Sequence, residues 1–206
     1  MRTGNGKERK MEMPELEILP LTTDRLEDFL AFFERGIPET EWGHRCYCAA
    51  FCAKDNTDER GMEKAEVRRE AAVRYVREGC LTGYLAYEDG EAVGWCSAGD
   101  RNACRPCFGV RWIIGGELPE TEEKAVSVFC FEVRPEWRGR HVSTALLERV
   151  DAEARASGCA FLEAYPLKDG GNALENYSGH RSFYEKHGFV PFGETDKRLI
   201  MRKALK

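Results

Sequence analysis

Val133-Arg134-Pro135-Glu136-Trp137-Arg138-Gly139-Arg140-His141-Val142-Ser143-Thr144 is the stretch from which the fold of this chain can be read. Before it, Ala125 to Val133 (AVSVFCFEV) is apolar, β-branched and aromatic, which predicts a strand that Pro135 ends. Arg138 to Arg140 form a basic, glycine-containing turn, and a helical pattern begins immediately after it. A turn of this kind aims free backbone N–H groups and a helix N-terminus at one point, which makes an anion site. A pyrophosphate is a natural occupant, with Arg138 and Arg140 adding side-chain charge. The same strand, turn and helix could also serve only as a connection.

Working outward, Val142 to Ser157 predicts a helix with Val142, Leu146, Val150 and Ala154 inward, capped by Gly158. Phe161 to Tyr165 reads as a strand and Ser178 to His187 as a helix stopped by Gly188. Phe189 to Phe192 and Leu199 to Arg202 give the last two strands. Upstream, Leu16, Ile18 and Leu19 suggest a short strand ending at Pro20. Leu26, Phe29, Leu30 and Phe33 then fall on one face of a helix capped by Thr23 or Asp24. A second helix is expected over Glu63 to Glu78, with Ala65, Ala72, Val73 and Val76 inward. Asp89-Gly90 between two β-rich runs predicts a hairpin. Gly99 to Lys124 has weak patterning and is expected to be a long loop. The alternation implies an α/β (α+β) fold, a mixed sheet flanked by helices. Residues 1–14, charged and without apolar periodicity, read as a mobile tail ahead of one domain spanning 15–206.

Composition narrows the function. Apolar residues are 42% and charged residues 33% of the 206, a globular balance, and the formal net charge of −5 argues against a broad nucleic-acid surface. No apolar run is long enough to span a bilayer, and the N-terminus lacks the apolar core of a secretory signal, so a cytoplasmic location without membrane partners is expected. Nine cysteines, an odd number scattered over predicted strands, helices and loops, do not form a secreted disulfide framework.

Val133-x-Pro135-x-x-Arg138-Gly139, followed by Ala145-Leu146-Leu147, resembles the acetyl-CoA-binding motif of the GNAT family of N-acetyltransferases. Phe183-Tyr184-Glu185-Lys186-His187-Gly188-Phe189 resembles that family's helix-to-strand signature, and the two motifs lie in the family's order. The resemblance implies a mostly antiparallel sheet splayed between its fourth and fifth strands, Ala125 to Val133 and Phe161 to Tyr165, with the pantetheine arm of the cofactor in the gap. It implies cofactor contacts at Phe131, Glu132 and Val133, at Arg138 and Gly139, and at the backbone amides of Arg140, His141, Val142, Ser143 and Thr144. The family usually reads Arg/Gln-x-x-Gly-x-Gly/Ala, whereas the two small positions here are His141 and Ser143. A side chain at His141 would crowd the phosphates, point outward, or donate to a phosphate.

Acetyl transfer to an amine needs an acceptor for the amine proton, stabilisation of the carbonyl oxygen and help for the departing thiolate. By resemblance Tyr184 is the acid. Glu163 resembles the strand glutamate that family members acting on protein N-termini use as base, and its alternative is a solvated strand residue. The fourth-strand glutamate of histone-type members is replaced here by Ser127, and Glu132 is a third option for the base. Trp42 to Phe51 (WGHRCYCAAF) falls where the family builds its acceptor wall, so Trp42, Tyr47 and Phe51 line an amine pocket or belong to the core. Cys46, Cys48, Cys52, Cys104 and Cys107 raise a thiolate zinc site, but Cys-x-Cys is poor zinc spacing and small apolar fillers are the commoner role, so no metal is expected. Three classes remain: an acetyl-CoA-dependent N-acetyltransferase for an unspecified amine, an acyl-CoA-binding module with impaired catalysis, and a zinc-stabilised interaction protein. A homodimer fits the usual prior for soluble proteins.

Overall fold

The computed structural model describes residues 16–35, 45–54, 62–168 and 176–206. The predicted tail therefore lies outside the described residues, as does Trp42. In chain order the elements are β1 (Glu17–Pro20), α1 (Leu26–Glu34), α2 (Ala65–Arg77), β2 (Gly83–Glu88), β3 (Glu91–Asp100), α3 (Arg101–Cys104), α4 (Phe108–Ile114), β4 (Ala125–Val133), α5 (Val142–Ala156), β5 (Phe161–Ala164), α6 (Arg181–Lys186), β6 (Val190–Glu194) and β7 (Leu199–Ala204). Short 3-10 turns, Ala49–Cys52 and Asn176–Ser178, precede α2 and α6.

The strands form one seven-stranded sheet in the order β1-β2-β3-β4-β5-β7-β6. Every pairing is antiparallel except β4 with β5. That parallel pair is short. Ala125, Val126, Ser127 and Val128 oppose Phe161, Leu162, Glu163 and Ala164, and beyond Val128 the remaining half of β4 has no β5 partner. On its other edge β4 continues to pair with β3, with a register shift between Ser97 and Ala98 that leaves Phe129 as the extra, bulged residue. The sheet therefore opens between β4 and β5, starting at the bulge.

Two apolar layers cover the sheet. On one face Phe29, Leu30, Phe33, Phe51, Tyr75, Trp95 and Phe129 pack with α1, α2 and the 49–52 turn. On the other, Val128, Phe131 and Val133 pack with Val142, Leu146 and Val150 of α5 and with Tyr184 and Phe189. Gly94 is what lets α5 sit so close, since a Cβ there would lie 2.5 Å from Val142 Cγ1.

Three expectations change. The stretch expected as a long loop folds into α3 and α4, because Asp100 accepts from the Asn102 and Ala103 amides and starts α3, and α4 after it buries Val110 and Ile114. The helix expected over Ser178 to His187 is shorter, broken at Gly179 (φ +81), where a side chain would press on the Tyr184 ring. In α2 the buried set is Ala71, Ala72, Tyr75 and Val76, so Ala71 and Tyr75 replace Ala65 and Val73 in the fully buried stripe.

Candidate active site

The Arg138 to Thr144 segment is shaped as an anion cradle. Gly139 and His141 both have positive φ, +76 and +62, and His141 is the N-cap of α5 with no side-chain cap of its own. The first intrahelical bond is donated by Ala145 to the His141 carbonyl, so the amides of Val142, Ser143 and Thr144 start the helix without intrahelical acceptors. His141 is exposed, which leaves the backbone approachable, although a non-glycine residue in this region costs about 1 kcal/mol or more. Arg138 and Arg140 are exposed as well. Arg138 Nε donates to the Val133 carbonyl at 3.2 Å, its Nη2 lies 3.6 Å from Glu132 Oε1, and Arg140 lies over the Trp137 ring at 4.9 Å.

The cradle leads into the gap between β4 and β5. The Arg134 amide donates to Val93 on β3, while the Val133 carbonyl is met by Arg138. Strand alternation then turns the N–H and C=O of Val133 and Phe131 away from β3 and toward the opening. Glu132, between them, sends its side chain to the α1/α2 face. Burial raises its carboxyl above the usual range, against a partial pull downward from Arg138.

Glu163 is neither solvated nor free. Its side chain is fully buried, and its two oxygens meet Arg101 Nε at 2.5 Å and Arg202 Nη2 at 2.6 Å. The Tyr165 hydroxyl donates to it at 3.1 Å and shares a 2.5 Å hydrogen bond with Ser127 Oγ. Arg101 itself has no exposure and also donates to the Pro119 carbonyl at 2.7 Å. Two guanidinium groups pair with its two carboxylate oxygens, and this geometry favours a clamp across β5, β7 and the end of β3 over a general base.

Tyr184 is also buried, in contact with Phe183 and Phe189, and its hydroxyl donates to the Ser178 carbonyl at 2.6 Å. Burial pushes its phenol well above the ordinary range. Tyr47 and Phe51 lie in the core of the α1/α2 face. Tyr47 packs on Phe33 and donates to Glu34 at 3.5 Å, and Phe51 stacks on Phe129, the bulged residue, at 5.0 Å. Tyr47 also borders an open cleft with Glu34, Arg45, Glu66 and Arg69.

The cysteines are all free thiols. Cys48 touches Cys46 and Cys130 and accepts from Trp95 Nε1 at 3.3 Å; the Cys130 contact and burial hold it well above an ordinary thiol, against a downward pull from Cys46 and Trp95. Among the described residues no group of three or more His, Cys, Asp or Glu side chains is arranged to hold a metal ion. No helix among them is long and apolar enough to cross a membrane.

Sequence reasoning missed Arg101, Arg198 and Tyr177. Arg198 is 4% exposed and donates to the carbonyls of Ile113 and Tyr165, to Ser178 Oγ and to the Tyr177 hydroxyl. In Asp196-Lys197-Arg198 nothing distinguishes it from a solvated turn, and the signal is visible only in three dimensions.

Residues 81–191, just over half of the chain, match the family described as Acetyltransferase (GNAT) domain. The chain belongs to the GNAT acetyltransferase family, and its activity class is that of an N-acetyltransferase. Among solved structures it resembles the PaiA N-acetyltransferase of Thermoplasma acidophilum in complex with coenzyme A, with a TM-score of 0.54 and 14% identity over 92% of this chain and 98% of that one. An N-acetyltransferase from Staphylococcus aureus superposes with a TM-score of 0.53 and 16% identity over 93% and 99% of the two chains. A GNAT acetyltransferase from Streptococcus pneumoniae gives 0.52 and 15% over 93% and 100%. At these identities the likeness shows a shared fold. No curated protein sequence matches the chain.

Proposed function

We propose that the protein transfers the acetyl group of acetyl-CoA to a primary amine by direct attack on the thioester. The observation that carries this is the continuity of the α5 cradle with the unpaired half of β4, which offers one path for a pyrophosphate followed by an extended arm. The free amides of Val142, Ser143 and Thr144 and the charges of Arg138 and Arg140 hold the pyrophosphate. The Phe131 and Val133 backbone groups pair with the arm as a strand would, and the acetyl carbonyl lies by the bulge at Phe129. A backbone N–H there stabilises the oxyanion that forms on attack.

The amine arrives from the α1/α2 face, past Phe51 and the Tyr47 cleft. Glu132 takes its proton, directly or through water. It is the carboxylate on β4 that faces this side, and desolvation has already made it a better base than an exposed glutamate. Tyr184 serves chiefly to fix Ser178 and the turn around it.

Acetyl-CoA should stabilise the fold by about 2.7 kcal/mol at a hundredfold excess over its dissociation constant. That corresponds to roughly 5–10 °C in Tm for a chain of this size. Arg138→Glu puts a negative charge at the cradle and should remove most of the shift. Equal shifts in the two proteins would refute the cradle, and an absence of CoA release with every member of a mixed panel of amines would refute the transfer.

A further inference from the structure

Three tyrosines surround the opening of the sheet, and they differ in where their protons go. Tyr165 donates to Glu163 at 3.1 Å and Tyr184 to the Ser178 carbonyl at 2.6 Å. Tyr177 only accepts, from Arg198 Nη2 at 2.8 Å, and its own phenolic proton has no acceptor among the described residues. Tyr177 is half-buried and sits on the 176–178 turn, which packs against β4. Its ring lies 6.5 Å from Phe51, which itself stacks on the bulged Phe129. Cys130 follows the bulge at Phe129, the point at which the thioester is placed above.

Arg198 explains the arrangement. A guanidinium buried to this extent normally faces a carboxylate, yet among the described residues Arg198 faces only two carbonyls and two hydroxyls. It ties the end of α4, the end of β5 and the 176–178 turn together. The one phenol it grips is also the one whose proton is free.

We propose that Tyr177, positioned by Arg198, gives its hydrogen bond to the thioester sulfur and stabilises the thiolate as it forms. This rests on the acetyltransferase reading above. The amine nitrogen bonds to the acetyl carbon, the C–S bond breaks with its electron pair on sulfur, and the ammonium proton goes to Glu132. Tyr177 stays protonated throughout, with its O–H directed at the departing sulfur. Arg198, donating into the phenol oxygen, strengthens that O–H as a donor.

The test binds CoA in its thiol form and follows ultraviolet thiolate absorbance against pH, with the ligand-free protein subtracted, for the unaltered protein, Tyr177→Phe, Tyr184→Phe and Arg198→Lys. No acceptor amine is needed. The unaltered protein should ionise the bound thiol at lower pH than Tyr177→Phe, with a thiolate fraction about tenfold higher midway between the two. Tyr184→Phe and Arg198→Lys, which loosen the turn that carries Tyr177 but keep its hydroxyl, should both fall between, and an effect of Tyr184→Phe as large as that of Tyr177→Phe would overturn the assignment. With an amine that the unaltered protein acetylates, Tyr177→Phe should lower kcat on the order of 10²-fold with little change in the KM for acetyl-CoA. Equal thiol ionisation in the unaltered protein and Tyr177→Phe, both binding CoA, would overturn the role of Tyr177 alone. If neither protein binds CoA, the acetyltransferase reading fails first and takes this one with it. A full effect in Tyr177→Phe with none in Arg198→Lys would keep the donor and remove Arg198 as its positioner.

Discussion

Replacing Glu163 with Gln takes away the one negative charge between two guanidinium groups and hardly changes the volume. Arg101 and Glu163 are both without exposure, while the Arg202 side chain keeps 19%. Arg202 can therefore turn partly toward water, but Arg101 cannot. Its remaining partners among the described residues are the Pro119 carbonyl and, at 3.4 Å, Asn102 Oδ1. Stripping the partner from a buried ion costs about 3–5 kcal/mol, and Arg101 meets that condition in full. For a chain of this size about 2–4 °C of Tm accompanies each kcal/mol, so the loss should be on the order of 10 °C in a thermal scan. Arg202→Gln should cost clearly less, because Glu163 keeps Arg101 and the lost charge was partly solvated. Activity below the melting transition separates the clamp from a catalytic base. A Glu163→Gln protein with nearly unchanged Tm and a kcat lowered by about 10²-fold would refute the clamp and restore Glu163 as the base.

Glu132→Gln should raise stability at neutral pH, because burial makes the charged form costly and lifts the folded pKa above the unfolded one. The stability this group contributes is present below its unfolded pKa and is lost as pH rises through the raised folded pKa. The advantage of the Gln variant in denaturant melts should therefore grow from acid to neutral pH, and a constant difference would contradict it. The same variant should flatten the acid limb of the kcat/KM profile if Glu132 accepts the amine proton. Gly94→Ala should cost about 1–3 kcal/mol, since its Cβ would meet Val142 Cγ1 at 2.5 Å. It should also weaken the acetyl-CoA thermal shift by displacing the first turn of α5, and an unchanged shift would show that the cradle tolerates the movement.

Much of the fold was legible in local pattern. The Ala125 to Val133 run, the Pro135 stop, the Arg-Gly turn and the inward Val142, Leu146 and Val150 are properties of neighbouring residues, and they mark out β4, the turn and α5 to within a residue or two. The His141 position, where a small residue was expected, does adopt the left-handed backbone that favours glycine. The stretch between β3 and β4 was not legible, because α3 and α4 are too short to show a period and gain their stability from the core they cover.

Side-chain roles near the opening divide along the same line. That Glu163 and Tyr184 lie close to it follows from the chain order of strands and helices. Which of them is free to act does not follow, because that depends on partners distant in sequence: Arg101 is 62 residues from Glu163 and Arg202 is 39. The pairing of Arg198 with Tyr177 spans 21 residues and joins two turns that look solvated when read alone. Sequence by itself determined the order of the strands and of the longer helices, the basic Arg-Gly turn ahead of α5 and the family motif, since each is written in short-range spacing. Only the tertiary structure decided which ionisable groups are paired and, among the described residues, which phenolic proton is left without an acceptor, because burial and charge pairing arise when separate segments are brought together.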